Sequence, residues 1–217
     1  MATARYLESD ERAKLLAQLH STRDRLLWIL GINTGFRFTE LLSLRWRDVW
    51  REGAPSPTVQ VTRCHLKGGR SWARKAIRSR VVPLNAAAAE ALRAHAFAIG
   101  GSGGPPLEGW LFASQKRCPG VISRRHAYHI VTSAAQSAGL LPGVGTHTWR
   151  RVFCTTVYEL SGHDITLTQK AMSHRSVLST QQYLQRTDAQ AAKIIQALAH
   201  TFEPSRSDLP SPRISPA

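Results

Sequence analysis

The apolar residues of this 217-residue chain change period only once. Residues 58–62 alternate Val59 and Val61 with polar side chains, the pattern of a half-buried strand. Residues 76–84, with Pro83 near the end, read as its partner, and the basic stretch from Lys67 to Lys75, with Gly68 and Gly69 inside it, reads as the hairpin tip. Nearly everywhere else the spacing is helical. Ser9 and Asp10 are candidate N-caps for a helix carrying Leu15, Leu16 and Leu19. A second helix is expected over 22–33, with Leu26, Leu27, Ile29 and Leu30, interrupted by Thr34-Gly35 and followed by a short helix presenting Leu41, Leu42 and Leu44. Asn85 caps an Ala-rich helix reaching about Ala98, residues 100–106 form a Gly/Pro loop, and 110–112 read as a short strand. Further helices are expected over 124–138, 148–160, 165–172, 177–185 and 189–199. The implied fold class is mainly α with one small antiparallel β-sheet (α+β).

Charge narrows the function classes. Lys and Arg number 29 against 14 Asp and Glu, a net charge of +15, with a pI near 11.0. Such a surface favours a polyanion, because each phosphate neutralised releases condensed counterions. Cys64, Cys118 and Cys154 are odd in number and widely spaced, which argues against a disulfide framework or a zinc site and suits a reducing compartment. No apolar run approaches membrane-spanning length, and the N-terminus lacks a signal-peptide core. A cytoplasmic, nucleoid-associated protein with no membrane partner is expected. From Glu203 onward, Pro204, Pro210, Pro212 and Pro216 among Ser and Arg predict a disordered tail over 203–217.

Three segments carry candidate chemistry. Around His147-Thr148-Trp149-Arg150-Arg151, a helical projection groups Trp149, Val152, Phe153, Thr156, Val157 and Leu160 on one face. His147, Arg150, Arg151, Cys154 and Tyr158 fall on the other, so a His and an Arg three apart project together beside a helix N-terminus. By itself this is also what a solvated polar face looks like. In Thr34-Gly35-Phe36-Arg37-Phe38-Thr39-Glu40-Leu41, a turn-permissive glycine precedes Arg37, and Glu40 can hold that guanidinium by an i, i+3 ion pair. In the run from Met172 to Leu184, His174 and Tyr183 flank a Ser/Thr-rich helix start, although a lone tyrosine is usually a packed one.

Taken together, these segments resemble the tyrosine recombinases, a family that includes phage integrases and chromosome-dimer resolvases. The match is carried by Arg37 in T-G-x-R-x-x-E-L, by H-x-x-R at 147 and 150, and by H-R-S-x-x-x-T-Q-x-Y from 174 to 183, in that order from about Tyr6 to Leu198. The resemblance implies the catalytic-domain fold of DNA breaking-rejoining enzymes over 1–202. It also implies site-specific recombination (integration, excision, inversion or resolution) of double-stranded DNA. Tyr183 would attack a phosphodiester to give a 3′-phosphotyrosine and a free 5′-hydroxyl, without metal, cofactor or ATP. Arg37 and Arg150 would clamp the non-bridging oxygens, with Glu40 orienting Arg37. His147 and His174 would add hydrogen bonds, His147 aiding deprotonation of the tyrosine.

A lysine on the hairpin tip would protonate the leaving oxygen. Lys67 fits better than Lys75, although the tip is longer than the family's usual turn. Trp149 stands where Leu is common in the family and is expected to pack without altering the chemistry. No N-terminal core-binding domain is expected in this sequence, as in a fragment or in short recombinases such as the fimbrial-switch invertases. The resemblance further implies a homotetramer on paired sites, with accessory DNA-bending proteins possible, and a bacterial, phage or mobile-element origin. The helix over 189–199, with Ile194, Ile195 and Leu198, could dock on its own domain or on a neighbouring protomer. A catalytically silent DNA-binding relative, acting as regulator or decoy, is the alternative. A topoisomerase-like activity fits the H-R-S-x-x-x-T-Q-x-Y segment less well.

Overall fold

In the computed structural model the described residues are 4–62, 79–114, 120–145 and 147–184. The chain divides into two units, Met1–Tyr183 and Leu184–Ala217, and of the second only Leu184 is among the described residues. The expected helix over 189–199, the tail over 203–217 and the hairpin tip with Lys67 and Lys75 therefore lie outside them.

Helix α1 (Ser9–Ala17) leads into α2 (Thr22–Thr34), the centre of the first unit. Leu26, Leu27, Trp28, Leu30 and Gly31 on α2 are all buried, so the helix is apolar on several sides. It packs against α4 (Ala86–Gly100) on one flank and α6 (Thr148–Leu160) on another. A Cβ at Gly31 would lie 2.8 Å from the Trp149 ring, so only glycine lets α6 approach this closely. Asn85 caps α4 as expected, its side chain accepting from the Ala88 N–H. The cap of α1 is Glu8 rather than Ser9 or Asp10: the Glu11 carboxylate accepts the Glu8 N–H, so the helix starts one position earlier than its small polar residues suggest.

The expected hairpin is present as β3 (Thr58–Val61) and β4 (Arg80–Pro83), antiparallel, with Val59 opposite Val82 and Val61 opposite Arg80. A second two-stranded sheet, β1 (Trp50–Arg51) with β2 (Ala54–Pro55), was not anticipated. Two residues per strand are too few to reveal a period, and the turn signal, Glu52-Gly53 with φ of 50° and 79°, is brief. The predicted strand over 110–112 reduces to isolated bridges, Arg45 with Trp110 and Ala113 with Val121. Helices α3 (Phe38–Leu41), α5 (Arg124–Ser137), α7 (Ile165–Met172) and α8 (Val177–Gln181) complete the described fold. Among the described residues no helix is long and apolar enough to cross a membrane.

The expected two-faced character of α6 needs correction. Leu160, placed on the core side by its spacing, is 84% exposed, whereas Arg150 and Cys154, placed on the polar side, are fully buried. The cause is that α6 is sandwiched: α2 covers one flank and α7 the other. Both flanks of its first two turns are thus covered while its last turn projects into solvent. A single helical period cannot describe a helix buried on two sides.

Candidate active site

The site begins at the end of α2. Gly35 adopts the left-handed conformation (φ 58°) and its N–H bonds back to the Gly31 carbonyl, ending the helix. A Cβ here would lie 2.3 Å from Phe153, so position and conformation both require glycine. The turn sends Arg37 to the N-cap of α3. There Glu40 takes the backbone N–H of Arg37 on one carboxylate oxygen and its guanidinium on the other, each at 2.8 Å. Glu40 is completely buried while the Arg37 side chain is about one-third exposed, which makes this pair the anchoring of a half-accessible cation from beneath.

The Phe36 carbonyl accepts the indole N–H of Trp149 at 2.9 Å, and that indole stacks on Phe38 with centroids 5.7 Å apart. Trp149 therefore pins the backbone on both sides of Arg37. Packing alone was expected of it, but a leucine could not make this hydrogen bond.

Arg150, 1% exposed, projects from the first turn of α6 into the same place. Its Nε donates to the Tyr183 hydroxyl at 3.3 Å, and one terminal nitrogen donates to the Gly35 carbonyl. The other terminal nitrogen meets His174 Nε2 at 2.9 Å. A guanidinium can only donate, so Nε2 is the bare nitrogen, and Nδ1 carries the proton that is given to Thr180 Oγ1 at 3.0 Å. Burial first, then the charges of Arg150, Arg37 and Arg80, push the His174 pKa down to about 4, so the ring is neutral near pH 7. Its ring stacks on Tyr183 with centroids 5.6 Å apart. Tyr183 sits in the turn after α8, which ends at Gln181 and so stops short of the expected 185.

His147 is the N-cap of α6 and is exposed. Partial desolvation, then Arg150 and Arg37, lower its pKa, which favours the unprotonated imidazole. With Arg37, Phe38, Thr39, Arg124, Arg125 and Tyr128 it lines a cleft of about 330 Å³ that runs from Arg37 to the start of α5.

Arg37, Glu40, His147, Arg150, His174 and Tyr183 thus come from three separate stretches of chain, while Lys67 and Lys75 lie outside the described residues. Two contributors escaped the sequence reading. Thr180 is buried against His174, and its signal was present as the T of H-R-S-x-x-x-T-Q-x-Y. Arg80 stood out only as the first residue of Arg80-Val81-Val82-Pro83-Leu84, a strand that resembles the family's, with no role attached to its side chain. It is buried and donates to the carbonyls of Thr34 at 2.9 Å and Ala171 at 3.0 Å.

This fold is that of the tyrosine recombinase catalytic domains. The crystal structure of XerA recombinase matches with a TM-score of 0.66 at 23% identity, covering 92% of this chain and 66% of that one. XerH site-specific recombinase, in a post-cleavage complex with a palindromic difH substrate, matches with a TM-score of 0.65 at 25% identity, over 94% of this chain and 54% of that one. The model of the phage integrase family covers residues 5–190, and the chain belongs to that family. Among its relatives are tyrosine recombinase XerC of Xanthomonas campestris pv. campestris (31% identical over 196 residues, 88% of this chain and 54% of that protein) and tyrosine recombinase XerD of Mycobacterium leprae (31% over 183 residues, 82% and 52%). The chain spans about half the length of these relatives.

Proposed function

We propose that this chain cuts and rejoins double-stranded DNA at specific sites through a covalent bond between Tyr183 and a 3′-phosphate. The observation that carries the reading is the meeting of the Tyr183 hydroxyl with Arg150 Nε at 3.3 Å, which puts the nucleophile beside a buried phosphate-binding group. In the reaction, Tyr183 Oη bonds to phosphorus and the bond from phosphorus to the 5′-oxygen breaks. The phenolic proton passes to His147, whose lowered pKa keeps it available as a base. Arg37 and Arg150 hold the non-bridging oxygens as charge builds on them. Both ring nitrogens of His174 are already engaged, so its first task is to steady Arg150. Lys67, or in its place Lys75, gives the proton to the leaving 5′-oxygen. The phosphotyrosine retains the energy of the broken bond, and attack by a 5′-hydroxyl reverses the step without ATP.

The catalytic domain is assigned to 1–202 and the tail to 203–217. Strand exchange requires paired sites, for which a homotetramer, aided by DNA-bending proteins, is the natural assembly. The structures of XerH site-specific recombinase bound to its difH substrate support the choice of substrate. Such a protein works in the cytoplasm, at the nucleoid.

The test uses a library of nicked suicide duplexes with a randomised central sequence, trapped as covalent protein–DNA adducts in denaturing gels and then sequenced. Wild type is expected to yield adducts enriched in one sequence, and Tyr183→Phe none. Adduct formation by Tyr183→Phe would remove Tyr183 as the nucleophile. Sequence-specific binding without any wild-type adduct would favour a silent DNA-binding relative.

A further inference from the structure

Arg80 is a buried cation that the proposed chemistry does not use. It starts β4, the strand returning from residues 63–78, and its side chain is 4% exposed. One terminal nitrogen donates to the Thr34 and Ala171 carbonyls. The other reaches the Gly35 carbonyl at 3.4 Å and Glu40 Oε2 at 3.5 Å. The guanidinium lies over the Phe36 ring, 4.8 Å from its centroid. Each partner belongs to a segment that carries a site residue. Thr34, Gly35 and Phe36 form the turn before Arg37, and Ala171 lies three residues before His174. Gly35 also accepts from Arg150, so one carbonyl is shared by two guanidiniums.

The charge arrangement adds a second argument. Glu40 is fully buried, and its carboxylate faces Arg37 on one side and Arg80 on the other. With Arg80 absent, the whole negative charge would fall on Arg37, at 2.8 Å, and cancel the field that Arg37 directs at a phosphate. With Arg80 present, the carboxylate still fixes the orientation of Arg37 but is already largely compensated.

We propose that Arg80 is a positioning residue for strand cleavage, acting through Glu40 to leave Arg37 its charge and through the Gly35 carbonyl to set Arg150. This rests on the phosphotyrosine reading above. The two can fail separately.

The experiment measures single-turnover adduct formation by the full chain on the suicide duplex recovered from the randomised library, with each rate taken from the fraction that reacts. Arg80→Met should slow cleavage about 100-fold, the scale of a slightly misplaced catalytic group. Arg80→Lys, with charge but too few donors for all four partners, should fall between wild type and Arg80→Met. The decisive arm is the double variant Arg80→Met/Glu40→Gln. Because it removes the charge that Arg80 compensates, it should cleave about tenfold faster than Arg80→Met. A purely structural role acts through the folded fraction alone. It predicts equal rates for the two variants once each is taken from the fraction that reacts, even where Glu40→Gln relieves a poorly compensated buried carboxylate and restores stability. A double variant as slow as Arg80→Met, or slower, overturns the proposal, as does Arg80→Met within threefold of wild type. If Arg80→Met does not fold, the neutral Arg80→Gln with and without Glu40→Gln gives the same sign test. Absence of any wild-type adduct overturns the phosphotyrosine reading, and this proposal with it, before any variant is compared.

Discussion

At the scale of single residues, His174 shows how neighbours choose a tautomer. Arg150 can only donate and Thr180 Oγ1 stands at the other nitrogen, so the proton belongs on Nδ1. Nitrogen-15 NMR of labelled protein should find Nδ1 protonated and Nε2 bare at pH 7. Thr180→Val, nearly the same shape without the hydroxyl, should cost about 1–2 kcal/mol in urea unfolding, and Thr180→Ser much less. The same ring makes stability depend on pH. Its folded pKa lies near 4, below the ordinary 6.5, so the unfolded chain binds the proton first. Stabilisation from the neutral ring is complete above about pH 6.5 and is lost as pH falls toward 4. It amounts to up to roughly 3 kcal/mol. His174→Gln should flatten stability across that window relative to wild type, and equal pH slopes for the two proteins would contradict the assignment.

At the scale of elements, the turn from α2 into α3 is the site's foundation. It supplies the Gly35 and Phe36 carbonyls and aims Arg37. Gly35→Ala meets two penalties, a left-handed φ of 58° and a contact of 2.3 Å with Phe153, and should cost about 3 kcal/mol. Gly53→Ala shares the positive φ, at 79°, but has open space around the new Cβ, so it should cost only about 1 kcal/mol. Chemical denaturation of both variants separates strain from collision, and equal costs would mean that the Phe153 ring gives way. This turn was legible in advance because glycine before Arg37 has a local conformational meaning. The buried side of α6 was not, because the Arg150 environment is built by Gly35, His174 and Tyr183, which are distant in sequence.

At the scale of the whole molecule, the chain carries an excess of fifteen positive charges, which suits a polyanionic partner. Arg124 and Arg125, at the start of α5, line the cleft that continues from Arg37 and His147. On the proposed reading this cleft carries DNA backbone away from the cut. Binding to duplex DNA should weaken linearly in log–log form as salt rises, and Arg124→Ala or Arg125→Ala should each reduce the magnitude of that slope by about one. Fluorescence anisotropy across a salt series measures it. An unchanged slope in both variants would place the DNA elsewhere.

What the sequence by itself determined is local or one-dimensional. Helical periods, the Val59–Val61 strand and its partner, the Asn85 cap, the Gly35 break, the Arg37–Glu40 pair and the excess of charge all follow from neighbours a few positions apart. The motif order then supplied the family. Only the tertiary structure decided that Arg150 is buried, that it meets Tyr183 and His174, and that Arg80 shares Glu40 with Arg37. Those facts depend on side chains brought together across 33, 24 and 40 residues of chain by the packing of α2, α6, α7 and β4. A buried charge is tolerable only where distant partners compensate it, and no periodicity records who those partners are.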